Sequence, residues 1–364
     1  MVTEQAILEA LSTVNDPDLH KGLVSLGMIR DLRLSGPNVS FEVVLTTPAC
    51  PLKARIERDC REALQRVPGI GEITVRWGAQ VVAGRASSGP GRIPGVTHTI
   101  AVASGKGGVG KSTVSVNLAV ALAETGAKVG LLDADIYGPS IPLMMGVHRP
   151  PQATEDNRIV PLEAHGVKLM SFGFLLPDHT MPVVWRGPMV AKALGQFLHD
   201  VNWGNLDYLL VDLPPGTGDA QLTLSQSLAL SGVVIVTTPQ DLARTIAGKV
   251  LLMFRQVQVP ILGIVENMGT FLCPTCHQES HIFSAGGGRK ASGALQAPLL
   301  GEIPLDLELC EGGDEGRPVL VRSPGSPAAD IFRRLAGALA ARVSVVSLDP
   351  AAMAGHPLRI VPVE

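Results

Sequence analysis

Apolar residues follow two different rhythms along this chain. In the first eighty residues Ile7, Leu8, Leu11 and Val14 keep helical spacing, and Asn15-Asp16-Pro17 breaks that helix. Strand-like runs follow at Ile29–Leu34 and Val39–Thr46, then a helix from Cys50 to Val67 and a strand at Glu72–Trp77. Pro51 suits the first helical turn, where its missing N–H costs nothing, and Pro68-Gly69 closes the helix. Beyond residue 98 short β-branched runs alternate with longer helical patterns. Strands are predicted at Thr99–Ala103, Lys128–Asp133, Val167–Phe172, Tyr208–Leu213, Val233–Thr238, Ile261–Glu266 and Leu299–Ile303. Most are unbroken apolar runs, as expected when both faces of a parallel sheet are covered. Helices are predicted near Thr113–Thr125, Met189–Val201, Ala220–Ala229, Leu242–Val257 and Ala328–Arg342. The alternation predicts an α/β fold, a doubly wound, mostly parallel sheet preceded by a small N-terminal α/β domain.

Between them, Gly84 to Gly95 is rich in Gly, Pro and Ser, with almost nothing to bury. The expected organisation is an N-terminal domain at 1–83, a linker at 84–97, a large domain at 98–343 and a tail at 344–364. With 364 residues and 46 % apolar content the chain can fill two cores, which excludes disorder. Thirty basic residues against 33 acidic ones give a net charge of −3, so no chain-wide basic field favours nucleic acid or anionic lipid. Five cysteines make no disulfide framework, and neither an export signal nor an apolar membrane span is legible. The expectation is a cytoplasmic protein that binds neither membrane nor nucleic acid.

The strongest local signal is Gly105-Lys106-Gly107-Gly108-Val109-Gly110-Lys111-Ser112-Thr113, set between a predicted strand and a predicted helix. Its glycines let successive backbone N–H groups turn in around a phosphate, and the helix adds its positive dipole end. Lys111 can reach terminal phosphates and the Ser112 hydroxyl can ligate Mg²⁺. Two strand ends bring carboxylates to the same edge: Asp135 as a candidate to orient attacking water, Asp212 as a candidate to hold magnesium. Pro214-Pro215-Gly216-Thr217-Gly218 reads as a switch loop in which the Gly216 amide swings toward a γ-phosphate.

Cys273-Pro274-Thr275-Cys276 lies in a loop after the strand ending at Glu266. A redox pair should open a helix, and the polar residues after it show no apolar periodicity. Cys-x-x-Cys-His, completed by His277, matches haem attachment but lacks the export signal that chemistry needs. Two thiolates fall short of a metal's usual four ligands. Either His277 and His281 complete a zinc site in one chain, or a twofold dimer pools two cysteine pairs around an iron–sulfur cluster.

Lys106, a second lysine that the cradle itself does not require, resembles the early lysine of the deviant P-loop ATPases, the class of MinD, ParA and the nitrogenase iron protein. That resemblance implies a lysine reaching across a nucleotide-sandwiched dimer. With GKGGVGKST (105–113), DADIYGPS (133–140), DLPPGTGD (212–219), VENM (265–268) and CPTC (273–276), nearly the whole chain resembles the Mrp/ApbC family of iron–sulfur cluster carrier ATPases. DPDL (16–19) and TTPACP (46–51) look like the SufT-like domain that bacterial members carry upstream. The resemblance implies slow ATP hydrolysis, with ATP and Mg²⁺ as cofactors and a homodimer that bridges a 4Fe–4S cluster on Cys273 and Cys276. It also implies partners in the cluster assembly machinery and in recipient apoproteins, with Asn267 contacting adenine.

Cys50 stands at a helix start, where a thiolate would be stabilised, and is an accessory candidate for cluster handling. Cys60 and Cys310 read as ordinary thiols, and Met144-Met145 as packing. The rival reading is a MinD/ParA-like positioning ATPase with a structural zinc at the cysteine pair. It needs a basic amphipathic C-terminal helix, which Pro350, Pro357 and Pro362 preclude.

Overall fold

Uninterrupted apolar runs, with both faces buried, build the main sheet of the computed structural model, which describes residues 2–82, 91–136, 138–175, 195–273, 275–276, 278–284 and 286–348. The described residues form two compact units: one of Met1–Val82 with Ala340–Val345 of the last helix, the other of the remaining described chain.

In the smaller unit α1 (Glu4–Ser12) and α2 (Lys53–Gln65) cover a sheet of β1 (Ile29–Ser35), β2 (Asn38–Leu45) and β3 (Ile73–Ala79). Strand β1 pairs antiparallel with β2, and α2 is the crossover that makes β3 parallel to it. Alternate residues of β2, among them Phe41 and Val43, join Ile7, Leu11, Ile56, Cys60 and Leu64 in the core.

The larger unit adds β4 (Val96–Ser104), α3 (Lys111–Glu124), β5 (Val129–Asp133), β6 (Gln152–Ala153), β7 (Ile159–Val160), β8 (Leu162–Ala164), β9 (Val167–Ser171), β10 (Leu206–Asp212), β11 (Gly232–Thr237), β12 (Ile261–Glu266), β13 (Phe271–Leu272), β14 (Glu279–Ser280) and β15 (Leu299–Glu302). Its eight-stranded sheet has the order β15-β12-β11-β4-β10-β5-β9-β8, and only β8 runs antiparallel to its neighbour. The chain leaves β4 in the middle, builds one side, then returns to build the other. This reversal opens a crevice at the carboxyl ends of β4 and β10, where such folds bind ligands. Helix α3 is buried almost all round from Val114 to Leu122, so it is held from every side where it meets that crevice.

Three expectations need correction. The last helix spans Pro327–Leu348, well past Arg342, so much of the expected tail start is helical. Strand β4 begins inside the expected linker, and Ile93 is buried rather than idle. Helices Gly287–Leu295 and Leu307–Asp314 were not expected, whereas the cysteines do lie in a loop, one that β13 and β14 close into a hairpin. Of the helix expected at Met189–Val201, residues 195–199 are helical, and the part up to 194 lies outside the described residues, as do linker residues 83–90 and tail residues 349–364. No described helix is long and apolar enough to cross a membrane.

Candidate functional site

Strand β4 ends at Ser104, and residues 105–110 turn the chain into α3 with Gly108 and Gly110 at φ of 76° and 80°. A Cβ on Gly110 would land on the Asn267 amide, which donates from Nδ2 to the Val109 carbonyl at 2.9 Å. Gly107 and Gly108, by contrast, face open space. The result is a cavity of about 230 Å³ over the amino end of α3, walled by Lys106, Gly108, Lys111, Ser112, Asp135 and Pro215. Met144 also lines it, while Met145 packs inward.

Register places Asp212 at the end of β10 opposite both Val102 and Asp133. Asp212 is fully buried and fully engaged. Lys111 Nζ lies 2.6 Å from its Oδ2, the Ser112 hydroxyl donates to the same oxygen at 2.6 Å, and Ser115 donates to Oδ1 at 2.6 Å. Asp135 stands 3.7 Å from Lys111 Nζ. Burial raises the Asp135 carboxyl above its ordinary value, and Lys111 pulls it back. Asp133, also fully buried, accepts from Ser171 Oγ at 2.9 Å and is pushed up to about 7, first by burial and then by the neighbouring Asp212 charge. Lys106 Nζ donates to Gln240 Oε1 at 2.8 Å, within its own chain. The Gly216 amide donates to the Ser104 carbonyl at 2.9 Å, so its swing toward a phosphate must break that bond.

The structure thus gathers Lys106, Lys111, Ser112 and Asp135 around one cavity, with Thr113 in its wall, Asp212 buried behind Lys111 and Ser112, and Asn267 braced against its loop. Sequence reasoning missed Ser115 and Gln240 as members, and placed Asp133 at this edge without giving it a role. Ser115 was findable, since it follows Ser112 by one helical turn on the same face. Gln240 was not, because it arrives from another strand end.

Cys273 and Cys276 sit at the tip of the β13–β14 hairpin, where the Cys273 amide donates to the Gln278 carbonyl at 3.1 Å. Backbone N–H groups of Cys276 and Thr275 point at the Cys273 sulfur and hold its thiol below the ordinary value. His281 turns Nδ1 toward the Gly269 carbonyl at 3.3 Å, and His277 lies outside the described residues. Among the described residues no three His, Cys, Asp or Glu side chains group around a metal-sized point.

Cys50 reverses its expectation. The amides of Leu52 and Lys53 do face it, yet burial, joined by the charges of Asp16 and Asp18, outweighs them and raises the thiol. Cys60 is buried and pushed up to about 12, an inert core residue, whereas Cys310 is exposed.

A glycine cradle at the switch point of a doubly wound sheet, with two lysines in the loop and carboxylates on adjacent strand ends, defines a P-loop NTPase of the MinD-like class. Residues 95–340 match the family described as NUBPL iron-transfer P-loop NTPase, and residues 4–76 match the iron–sulfur cluster assembly protein family. The chain belongs to the former family and carries the latter as its amino-terminal unit. It is 52 % identical over 345 residues to the iron–sulfur cluster carrier protein of Deinococcus radiodurans, covering 94 % of this chain and 97 % of that one. Identity to the Escherichia coli K12 iron–sulfur cluster carrier protein is 42 %, covering 92 % and 90 % of the two chains. Among solved structures, an ADP-bound nucleotide-binding protein from Archaeoglobus fulgidus superposes with a TM-score of 0.57 at 40 % identity, covering 65 % of this chain and 92 % of that one. The Pyrococcus furiosus cell division ATPase MinD gives 0.50 at 26 % identity, covering 66 % and 98 %.

Proposed function

We propose that this chain is a cytoplasmic, homodimeric ATP-binding and ATP-hydrolysing carrier. Its cargo is a 4Fe–4S cluster held between the Cys273 and Cys276 pairs of two copies and delivered to apoproteins. One observation carries the cargo reading: an exposed hairpin bearing two free thiols, Cys273 and Cys276, with no third ligand grouped with them among the described residues. Two sulfurs leave half the sites of a four-iron cluster open, and a twofold axis doubles them. The family it belongs to, and the names of its relatives, support an iron–sulfur cargo.

Nucleotide chemistry falls to the cradle. The loop amides and the start of α3 would hold the phosphates, and the open space that Gly107 and Gly108 face fits a backbone-lined anion site. Ser112 and Asp212, sharing one oxygen contact, are the residues fitted to hold magnesium, which when bound supplies charge neutralisation at the phosphates. Lys111 neutralises phosphate charge once it exchanges the Asp212 carboxylate for the ligand. Lys106 leaves Gln240 to reach the partner's phosphates, and Asp135 orients water at the cavity wall. Asn267 then faces adenine. Turnover is slow because each cycle resets a conformation, and cluster assembly proteins load the carrier.

Anaerobic reconstitution with iron and sulfide tests the cargo. The wild type should take up both and show broad absorption near ~400 nm typical of thiolate-held clusters. Cys273→Ala and Cys276→Ala should not. A colourless wild type that binds zinc as a monomer would sink the proposal.

A further inference from the structure

The hairpin that carries the cysteines leaves and rejoins the molecule at two residues in unusual backbone conformations. Met268, just before it, has φ of 60°, and Ser284, just after it, has φ of 127°. Neither is glycine, so both conformations are strained and must be held by their surroundings. The base of the hairpin is anchored by backbone bonds from Gly269 N to Ile303 O at 3.0 Å and from Leu305 N to Thr270 O at 2.6 Å, and further restraints on each side lead to the phosphate loop. Before the hairpin, Asn267 donates from Nδ2 to Val109 O at 2.9 Å, inside the loop itself. After it, Ser284 Oγ donates to Pro239 O at 3.0 Å. The next residue, Gln240, accepts Lys106 Nζ at 2.8 Å. A cross-brace, His281 Nδ1 to Gly269 O at 3.3 Å, ties the two feet together.

We infer that Met268 and Ser284 are the hinges of the cysteine hairpin, and that Ser284 and Gln240 are positioning residues through which the phosphate loop sets the exposure of Cys273 and Cys276. Nucleotide that draws Lys106 away from Gln240 loosens the strand end to which Ser284 is fastened. Nucleotide that engages Asn267 loosens the other foot. Both strained hinges then relax together, and the cysteine end of the hairpin shifts about a base that the Gly269–Ile303 and Thr270–Leu305 backbone bonds keep attached. The inference rests on the carrier reading for its purpose but not for its geometry.

The test reads thiol access in the full-length, cluster-free, reduced protein. Alkylation rates of Cys273 and Cys276 are followed by peptide mass mapping, with and without magnesium and a non-hydrolysable ATP analogue. The analogue should change the wild-type rates by about fivefold or more, the low end of ordinary coupling between sites. In Ser284→Ala that response should fall to less than twofold, with analogue affinity and thermal midpoint close to wild type. Gln240→Ala, which removes the other link, should blunt the response as well. A merely structural serine would shift the rates equally with and without nucleotide. A wild type that binds the analogue yet shows unchanged thiol rates would overturn the inference, as would a full response in Ser284→Ala. A responsive hairpin in a protein that never takes up iron and sulfide would leave the hinge standing and remove the cargo instead.

Discussion

Lys111 and Asp212 form a 2.6 Å ion pair in which the carboxylate is fully buried and the lysine side chain is 7 % exposed. A buried charge deprived of its partner costs far more than the pair itself contributes. Asp212→Ala is therefore expected to destabilise the nucleotide-free protein by about 3 kcal/mol, read from denaturant unfolding. ATP turnover should fall by at least about 100-fold, since a charge-stabilising contact at the reacting phosphates goes with it. Near-normal stability in this variant would show that Lys111 escapes to solvent.

Ser115 holds the other oxygen of that carboxylate at 2.6 Å and is wholly buried. Ser115→Ala should cost about 1 kcal/mol, the net worth of a buried hydrogen bond, and lower kcat more than it raises KM. Steady-state kinetics separates those outcomes.

Gly110 combines φ of 80° with a neighbour, the Asn267 amide, that leaves no room for a methyl group. Gly110→Ala should weaken nucleotide binding at least about tenfold, from strain of the usual 1–3 kcal/mol and a displaced loop. Isothermal titration with ADP measures it.

Asp133 gives the fold a pH dependence whose sign follows from its folded value of about 7, above the ordinary 3.8. Between those values the folded protein keeps a proton that the unfolded chain releases. The stabilisation is complete below the ordinary value and is lost as pH rises toward the folded one. Raising pH from 5 to 8 should thus destabilise the nucleotide-free wild type by on the order of 1 kcal/mol or more. Asp133→Asn should flatten that slope, and urea unfolding at several pH values checks it.

The two amino- and carboxyl-unit thiols part company in reactivity. Cys273 is held below its ordinary value by amide N–H groups, whereas Cys50 is raised by burial and by Asp16 and Asp18. At neutral pH iodoacetamide should modify Cys273 well before Cys50 in the folded protein. Equal rates would mean that the Cys50 environment opens in solution.

What the sequence disclosed and what it hid divide along physical lines. Strands such as Val233–Thr237 and Tyr208–Asp212 were legible because burial on both faces leaves no polar positions to confuse the pattern. The loop from Gly105 to Ser112 was legible because a phosphate cradle tolerates so few alternatives. Helix Gly287–Leu295 was hidden by its glycine-rich start, which close approach to Pro239 and Glu266 demands. Two-residue strands like Phe271–Leu272 carry too little periodicity to be seen at all. Cys50 misled because a helix start was weighed without the burial, and then the nearby acids, that folding brings to it.

The outermost strands of the large sheet are short: β8 has three residues and β15 four. So little unpaired backbone makes a poor template for another chain, and runaway stacking edge to edge is discouraged. The chain can therefore present reactive thiols on its cysteine hairpin without offering a second, backbone-mediated route to self-association along its flanks.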